Sequence, residues 1–373
     1  MVKQIPNFYA DLSFGNFFYN TGHPMKPLRI NILNDLVISY GLHSFLNFKK
    51  SKKISSYQLL NFHNLVYIKN TLKNNNNCDQ DILSEIENFL PKNYNLDCPV
   101  FKGILEYCQI YSSASISSAL DLLKNETGCT INWSGGYHHA KKKKPSGFCY
   151  INDIVLCILE LLKKFQKILY IDIDVHHGDG VEEAFYLSKR VFCISFHNFK
   201  KFFFPETGNI LDTGLGLGKN YSINVPLKNG IKDKPFHEIF YLIAEKVIKK
   251  FQPDGIVLQA GADSLAGDKL GNFNISYTCH GECISFIKDL GIPFVVLGGG
   301  GYKKKNVAKC WTNETSLLCD KKLNNKLPYT MYYYIFSPTF KLDFQISGMF
   351  DKNSKNYLQS LKKIILKNII KII

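Results

Sequence analysis

The residues of this chain best able to do chemistry fall in one short stretch, Asp172-x-Asp174-x-His176. In an extended segment alternate side chains share a face, so these three can converge on one cation. A carboxylate and an imidazole, joined by a second carboxylate from a distant strand end such as Asp263, supply three ligands and leave a place for water. That is the open arrangement of a catalytic zinc site. Metal-assisted amide hydrolysis also needs a base for the water proton and an acid for the leaving amine. The adjacent His138 and His139 can supply both. Asp172 and Asp179 are spare carboxylates that can orient these imidazoles. The run Gly298 to Gly301, placed before Tyr302, lets the chain bring a phenol hydroxyl against a polarised carbonyl as an oxyanion donor.

Such residues must be held by strand ends. Short β-branched or aromatic runs alternate with helical ones from Thr130 onward, which predicts a parallel sheet covered by helices. Strands are expected at Ile131 to Trp133, Ile168 to Ile173, Val191 to Phe196, Gly255 to Gln259 and Pro293 to Leu297. Helices are expected at Asp153 to Phe165, Val181 to Leu187, Lys234 to Phe251, Ile275 to Leu290 and Lys305 to Cys319. In open α/β sheets ligands bind beyond the carboxyl ends of the strands. Those positions carry Ser134 to His139, Asp174 to Gly180, His197, Ala260 to Ser264 and Gly298 to Tyr302. The polar stretch Lys69 to Gln80 reads as a surface loop.

Composition bounds the rest. At 373 residues and 45% hydrophobic content the chain is expected to form one large catalytic domain, 1–373. No run is long and apolar enough for a membrane span, and the first residues lack a secretory pattern. Eleven cysteines, scattered without a C-x-x-C pair, predict reduced thiols, Cys279 and Cys283 among them. The net charge of +15 reflects a lysine-rich bias spread along the chain, so no sequence-specific DNA binding is expected. Lys141 to Lys144 is either a nuclear-localisation run or a solvated loop.

Gly22 to Pro27, Asp97 to Phe101, Asn132 to His139, Ser146 to Tyr150, Tyr170 to Phe185, Asp263 to Gly271 and Gly298 to Tyr302 together resemble class I histone deacetylases. The similarity runs from about residue 8 to about residue 320, with 321–373 as an extension of the same domain. It implies an arginase-like three-layer α/β fold with a central, mainly parallel eight-stranded sheet. The implied activity is removal of acetyl groups from lysines of histone tails. Asp174, His176 and Asp263 would hold Zn2+; His138 and His139 would be the acid/base pair, backed by Asp172 and Asp179; Tyr302 would polarise the acetyl carbonyl. Asp97, Gly147, Phe148, Phe204 and Leu270 would form a narrow lysine tunnel and its rim. K+ or Na+ would sit near Asp172, Asp174, His176, Ser195 and Phe196, and again near Phe185, Ser188, Val191 and Tyr221.

Corepressor-complex proteins, bridged by an inositol phosphate on Lys26, Lys269 and Lys305, and a nuclear or partly cytoplasmic location are further implications. Three departures stand out. Tyr137 replaces the family's leucine and would narrow the cavity beneath the zinc; the loop from Asn198 to Phe204 is one residue longer; Glu206 stands where glycine is common. The family's long acidic or phosphorylated tail is not expected. A deacetylase of small acetylated amines and a non-catalytic corepressor scaffold are the competing readings.

Overall fold

The computed structural model describes residues 5–73 and 97–372. Eight strands form one sheet: β1 (Asn7–Tyr9), β2 (Asn47–Lys49), β3 (Cys129–Asn132), β4 (Ile168–Asp172), β5 (Val191–Asn198), β6 (Ser222–Leu227), β7 (Gly255–Gln259) and β8 (Phe294–Leu297). Their order is β2-β1-β3-β8-β7-β4-β5-β6, and every pairing is parallel. The helices are α1 (Leu28–Ser39), α2 (Ser56–Leu59), α3 (Leu65–Lys73), α4 (Ile104–Leu123), α5 (Asp153–Leu161), α6 (Asp179–Phe185), α7 (Asp233–Phe251), α8 (Tyr277–Asp289), α9 (Lys304–Leu318) and α10 (Lys355–Ile370).

Parallel strands buried on both faces read as continuous apolar runs, and β4, β5, β7 and β8 are buried at every residue. Their alternate side chains feed two cores. Ile168, Tyr170, Val257 and Val295 pack with α4 and α5 on one face. Leu169, Ile171, Leu258 and Val296 join the larger cluster on the other, with α1, α7, α8 and α9. No helix of the described residues is long and apolar enough to cross a membrane.

All five expected strands and all five expected helices are present, with ends shifted by a few residues. Three strands were not expected. β1 and β2 are only three residues long, and β6 contains Pro226, a residue that argues against a strand except at a sheet edge, where β6 lies. Helix α4 was also missed because most of it is buried, so no polar face marks its period. Residues 69–73 of the expected surface loop end α3, and 74–80 lie outside the described residues.

The sheet order fixes where a ligand can sit. From β4 the chain moves outward to β5 and β6; from β7 it moves the opposite way to β8. The neighbours β4 and β7 therefore flank a topological switch point, where diverging loops open a crevice at the strands' carboxyl ends. In register there lie Asp172, opposite Ser195 on one side and Gln259 on the other.

Residues beyond 320 are tied to this body. Leu358, Leu361, Ile365 and Ile369 of α10 join the larger core, and Tyr357 donates to the Pro226 carbonyl at 2.6 Å. Ile365→Ala should therefore lower stability of the whole chain by about 2–4 kcal/mol. Denaturant unfolding followed by fluorescence and circular dichroism should shift as one transition. An unchanged midpoint would make α10 an independent appendage.

Candidate active and metal site

Beyond β4 the chain leaves the extended conformation, so the expected alternation through residue 176 stops at Asp172. Asp172 keeps the strand's inward face and turns to His138, whose Nδ1 lies 2.8 Å from its Oδ2. Asp174 and His176 are brought together by a turn instead: the His176 amide donates to Asp174 Oδ1 at 3.0 Å. The expectation that all three side chains meet one cation is thus corrected. Asp174, His176 and Asp263 have ligand atoms within 4.8 Å of one another and are all buried, without Asp172. His176 Nδ1 lies 3.1 Å from Asp174 and 3.0 Å from Asp263.

Neighbouring loops fix each carboxylate. Asp174 Oδ2 accepts from the Gln259 side chain and from the Gly300 amide, both at 2.9 Å, and Asp263 Oδ1 accepts from the Val175 amide at 3.0 Å. A Cβ on Gly300 would lie 1.9 Å from Asp263 Oδ2, so only glycine lets this strand end approach. The buried Arg29 guanidinium donates to the Gly299 and Gly301 carbonyls and holds the glycine loop in place.

His138 and His139 sit with ring centroids 3.9 Å apart. Tyr170 donates to Asp172 at 2.6 Å, and His139 Nδ1 lies 2.7 Å from Asp179. The two imidazoles are pushed apart in basicity. Burial lowers both, but for His138 the Asp172 and Asp174 carboxylates outweigh it and raise its pKa to about 9. For His139, burial and the neighbouring His138 win and lower it to about 3. Burial, with Asp263 and Asp174 nearby, lifts the Tyr302 hydroxyl well above its usual range and keeps it a neutral donor.

A cavity of about 260 Å³ opens over these groups. Asp97, Gly147, Phe148, Phe204 and Leu270 all line it, together with His139, His176 and Tyr302. Phe203, which sequence reasoning passed over for Phe204, lines it too and stacks on His176 at 5.2 Å with planes 2° apart. Nothing in the run of three phenylalanines marks which ring turns inward. Glu206 has φ +64, the left-handed conformation that explains a preference for glycine there, and its carboxylate accepts from the Phe202 amide.

Other residues acquire a place only in three dimensions. Asp268 accepts from the Leu270 amide at 2.9 Å and from the Tyr302 amide at 2.7 Å, joining tunnel wall to phenol. Lys141 is no solvated charge: its ammonium meets Asp179 at 2.6 Å and Glu183 at 3.0 Å. His197 lies inside β5 between Ser195 and the Gly208 carbonyl, away from the ligand trio. Tyr137 is buried and stacked on Tyr111 at 4.1 Å. Cys279 and Cys283 are buried free thiols.

The remaining expected sites are more scattered. Ser195 contacts His197 Nδ1 at 2.9 Å, and Phe196 follows it within β5. The Phe185 carbonyl accepts from Ser188, the Tyr221 carbonyl accepts from Cys193, and Val191 opens β5. Lys26 donates to the Asn20 carbonyl, Lys269 is exposed, and Lys305 reaches the Ser337 carbonyl at 3.1 Å. Lys305 lines a crevice of about 500 Å³ with Lys303, Lys309 and Lys341; Lys26 and Lys269 lie outside its lining.

A second buried cluster, His280, Cys310 and Glu314, lies behind the site. His280 Nε2 donates to the Gly261 carbonyl at 3.0 Å and its Nδ1 meets the Glu314 carboxylate, while Cys310 donates to the same oxygen at 3.2 Å. With both imidazole nitrogens donating, the cluster reads as a buried imidazolium–carboxylate pair bracing the loop that carries Asp263.

An all-parallel sheet with an aspartate–histidine–aspartate trio at its switch point gives an α/β fold whose site could hold a metal ion. A histidine pair beneath a narrow cavity completes it. Comparison with known proteins gives the family. Residues 23–318 match the histone deacetylase domain. The chain is 46% identical over 363 residues to the Xenopus laevis protein named probable histone deacetylase 1-B, covering 97% of this chain and 75% of that protein. It is 45% identical to Homo sapiens histone deacetylase 1, again over 97% of this chain and 74% of the relative. The chain belongs to the histone deacetylases, in class I.

Glu314→Ala strips a buried imidazole of its partner and should destabilise the fold by about 3–5 kcal/mol. Glu245→Ala, in an exposed pair with Lys249, should leave stability nearly unchanged. Chemical denaturation of the two variants checks the contrast. Equal small losses would mean that the buried pair braces nothing.

Proposed function

We propose that this protein hydrolyses the acetyl amide of N-acetyl-lysine on histone tails with a single Zn2+ held by Asp174, His176 and Asp263. The observation that carries this reading is the junction of that trio, through His176, with the cavity lined by Phe148 and Phe204. The donor set, one imidazole and two carboxylates with no fourth side chain in the cluster among the described residues, suits zinc with open positions. When bound, the ion supplies Lewis-acid polarisation and a lowered water pKa.

The chain's own residues do the rest. Phe148, Phe204, Gly147 and Leu270 exclude water along the aliphatic stem, and Asp97 at the rim accepts from the peptide backbone. His139 lines the cavity, so it is the base that takes the water proton and later passes it to the lysine nitrogen as the C–N bond breaks. His138, paired with Asp172, is the second member of the acid/base pair. Tyr302 donates its hydroxyl to the developing oxyanion. The products are acetate and the free lysine amine.

The histone substrate makes the protein a repressor of transcription acting in the nucleus. Residues 1–373 form one catalytic domain, a reading supported by the α10 side chains in the common core. K+ or Na+ near Ser195 and near Phe185 and Tyr221 would brace the strand ends. Corepressor proteins bridged by an inositol phosphate would use Lys26, Lys269 and Lys305; lysine offers point charges rather than a bidentate fork, so the phosphates would be held without strict geometry. A small-amine substrate is disfavoured by the peptide-facing Asp97 at the rim. A non-catalytic scaffold is disfavoured by the complete set of proton-handling groups.

Two experiments test the reading. Asp174→Ala or Asp263→Ala should lose zinc and deacetylase activity together, by metal analysis and acetyl-peptide assay. Stoichiometric zinc in an active Asp263→Ala protein would defeat the ligand assignment. Tyr302→Phe should keep zinc and stability while turnover falls on the order of 10²- to 10³-fold. Near-full turnover would leave Tyr302 as a turn residue only.

A further inference from the structure

We propose that a chain of buried phenols, Tyr137 to Tyr107 to Tyr19, positions the tunnel wall Phe148, with Tyr19 as the residue through which the substrate passage is held to width. The inference rests on the deacetylase reading for its assay and goes beyond it in naming what sets the tunnel.

Phe148 has φ +67, a conformation side-chain-bearing residues rarely adopt. Something must hold it there. Its carbonyl accepts from the Tyr19 hydroxyl at 2.8 Å. Tyr19 also lies 3.3 Å from the Tyr107 hydroxyl, which in turn bonds that of Tyr137. The Tyr19 hydroxyl is placed to donate both to the Phe148 carbonyl and to the Tyr107 hydroxyl, and its one proton goes to the shorter, carbonyl bond. Tyr107 and Tyr137, bonded to each other through their hydroxyls, back the Tyr19 ring and hold it against the tunnel wall. All three rings are buried, so no water substitutes for a missing link.

The rings reinforce the bonds. Tyr19 stacks on His23 at 4.7 Å, and the same His23 meets Phe148 edge-on at 4.7 Å. His23 Nδ1 accepts from the Met25 amide at 3.1 Å, which places its proton on Nε2, where it donates to the Asp97 carbonyl at 3.2 Å. One stacked pair thereby anchors both the wall and the rim of the cavity. Tyr137 ends the row, its hydroxyl bonded to that of Tyr107 and its ring stacked on Tyr111. It neighbours His138 only by chain contiguity, so the device acts on substrate passage and not on proton transfer.

The test is steady-state kinetics on an acetyl-lysine peptide for Tyr19→Phe, Tyr107→Phe and Tyr137→Phe, with zinc content and thermal midpoint measured for each. Tyr357→Phe, which removes a remote, half-buried hydroxyl bonded to the Pro226 carbonyl, is the control for loss of a tyrosine–carbonyl bond elsewhere in the fold. Tyr19→Phe should raise KM roughly three- to tenfold with kcat changed by less than about twofold. Tyr107→Phe should have a smaller effect and Tyr137→Phe the smallest, because each leaves the later links intact. Tyr357→Phe should leave KM at the parent value. The proposal is overturned if Tyr19→Phe has the parent's KM, if the ranking is reversed, or if KM and kcat change together as the thermal midpoint falls. An inactive parent protein would refute the deacetylase reading itself, an outcome separate from all of these.

Discussion

Two carboxylates buried side by side are the constraint on which the rest of this structure turns. Asp174 and Asp263 are both inaccessible to solvent, and each opposes the other's charge. Burial and the neighbouring Asp174 push the Asp263 carboxyl upward. Such a pair is tolerated only if countercharge and donors converge on it. The switch point supplies the place, because loops from β4, β7 and β8 meet there and bring His176, the Gln259 amide and the Gly300 N–H to the same spot. The zinc proposed for this site would relieve both charges at once.

Around that centre the positioning is done in layers of decreasing charge. Arg29 holds the glycine loop by its carbonyls, His280 with Glu314 holds the Gly261 carbonyl, and Asp268 ties Leu270 to Tyr302. Asp153, at the first turn of α5, accepts from the Gly136 and Tyr137 amides and so fixes the segment that delivers His138 and His139. Each brace grips backbone, not a ligand side chain. The ligands can then be short and exactingly placed while the energetic cost of burying polar groups is offset one shell further out.

Much of this was legible in the sequence, for a physical reason. Strands buried on both faces must be apolar runs, and the residues after them must be the ones free to carry charge, so β4, β7 and β8 announced Asp174, Asp263 and Tyr302. The reading failed where period and partner diverge. Alternation through residue 176 was expected, but the strand stops at Asp172, and the two-residue spacing of Asp174 and His176 comes from a turn bonded through Asp174 itself. Lys141 looked like one of four solvated lysines because its partners, Asp179 and Glu183, arrive from α6 across the fold. Asp268, Arg29 and Glu314 carry no local pattern at all. Each makes its decisive contact across 34 to 272 residues of chain.

Glu206 and Tyr137 show how side chains near the site can act without touching the aspartate–histidine–aspartate trio. Glu206 takes a left-handed conformation that costs a non-glycine residue about 1 kcal/mol, and recovers part of it by capping the Phe202 amide. The loop it closes carries Phe203 onto the face of His176. Tyr137 adds bulk beneath the histidine pair, yet it adds a hydroxyl as well, and that hydroxyl finds a neighbour already in line with the tunnel wall. In both places the substituted side chain works through backbone or a phenol, at one remove from the ligand trio. The buried charges constrain their immediate neighbours tightly, while the tunnel's supports answer only to the backbone and rings they touch.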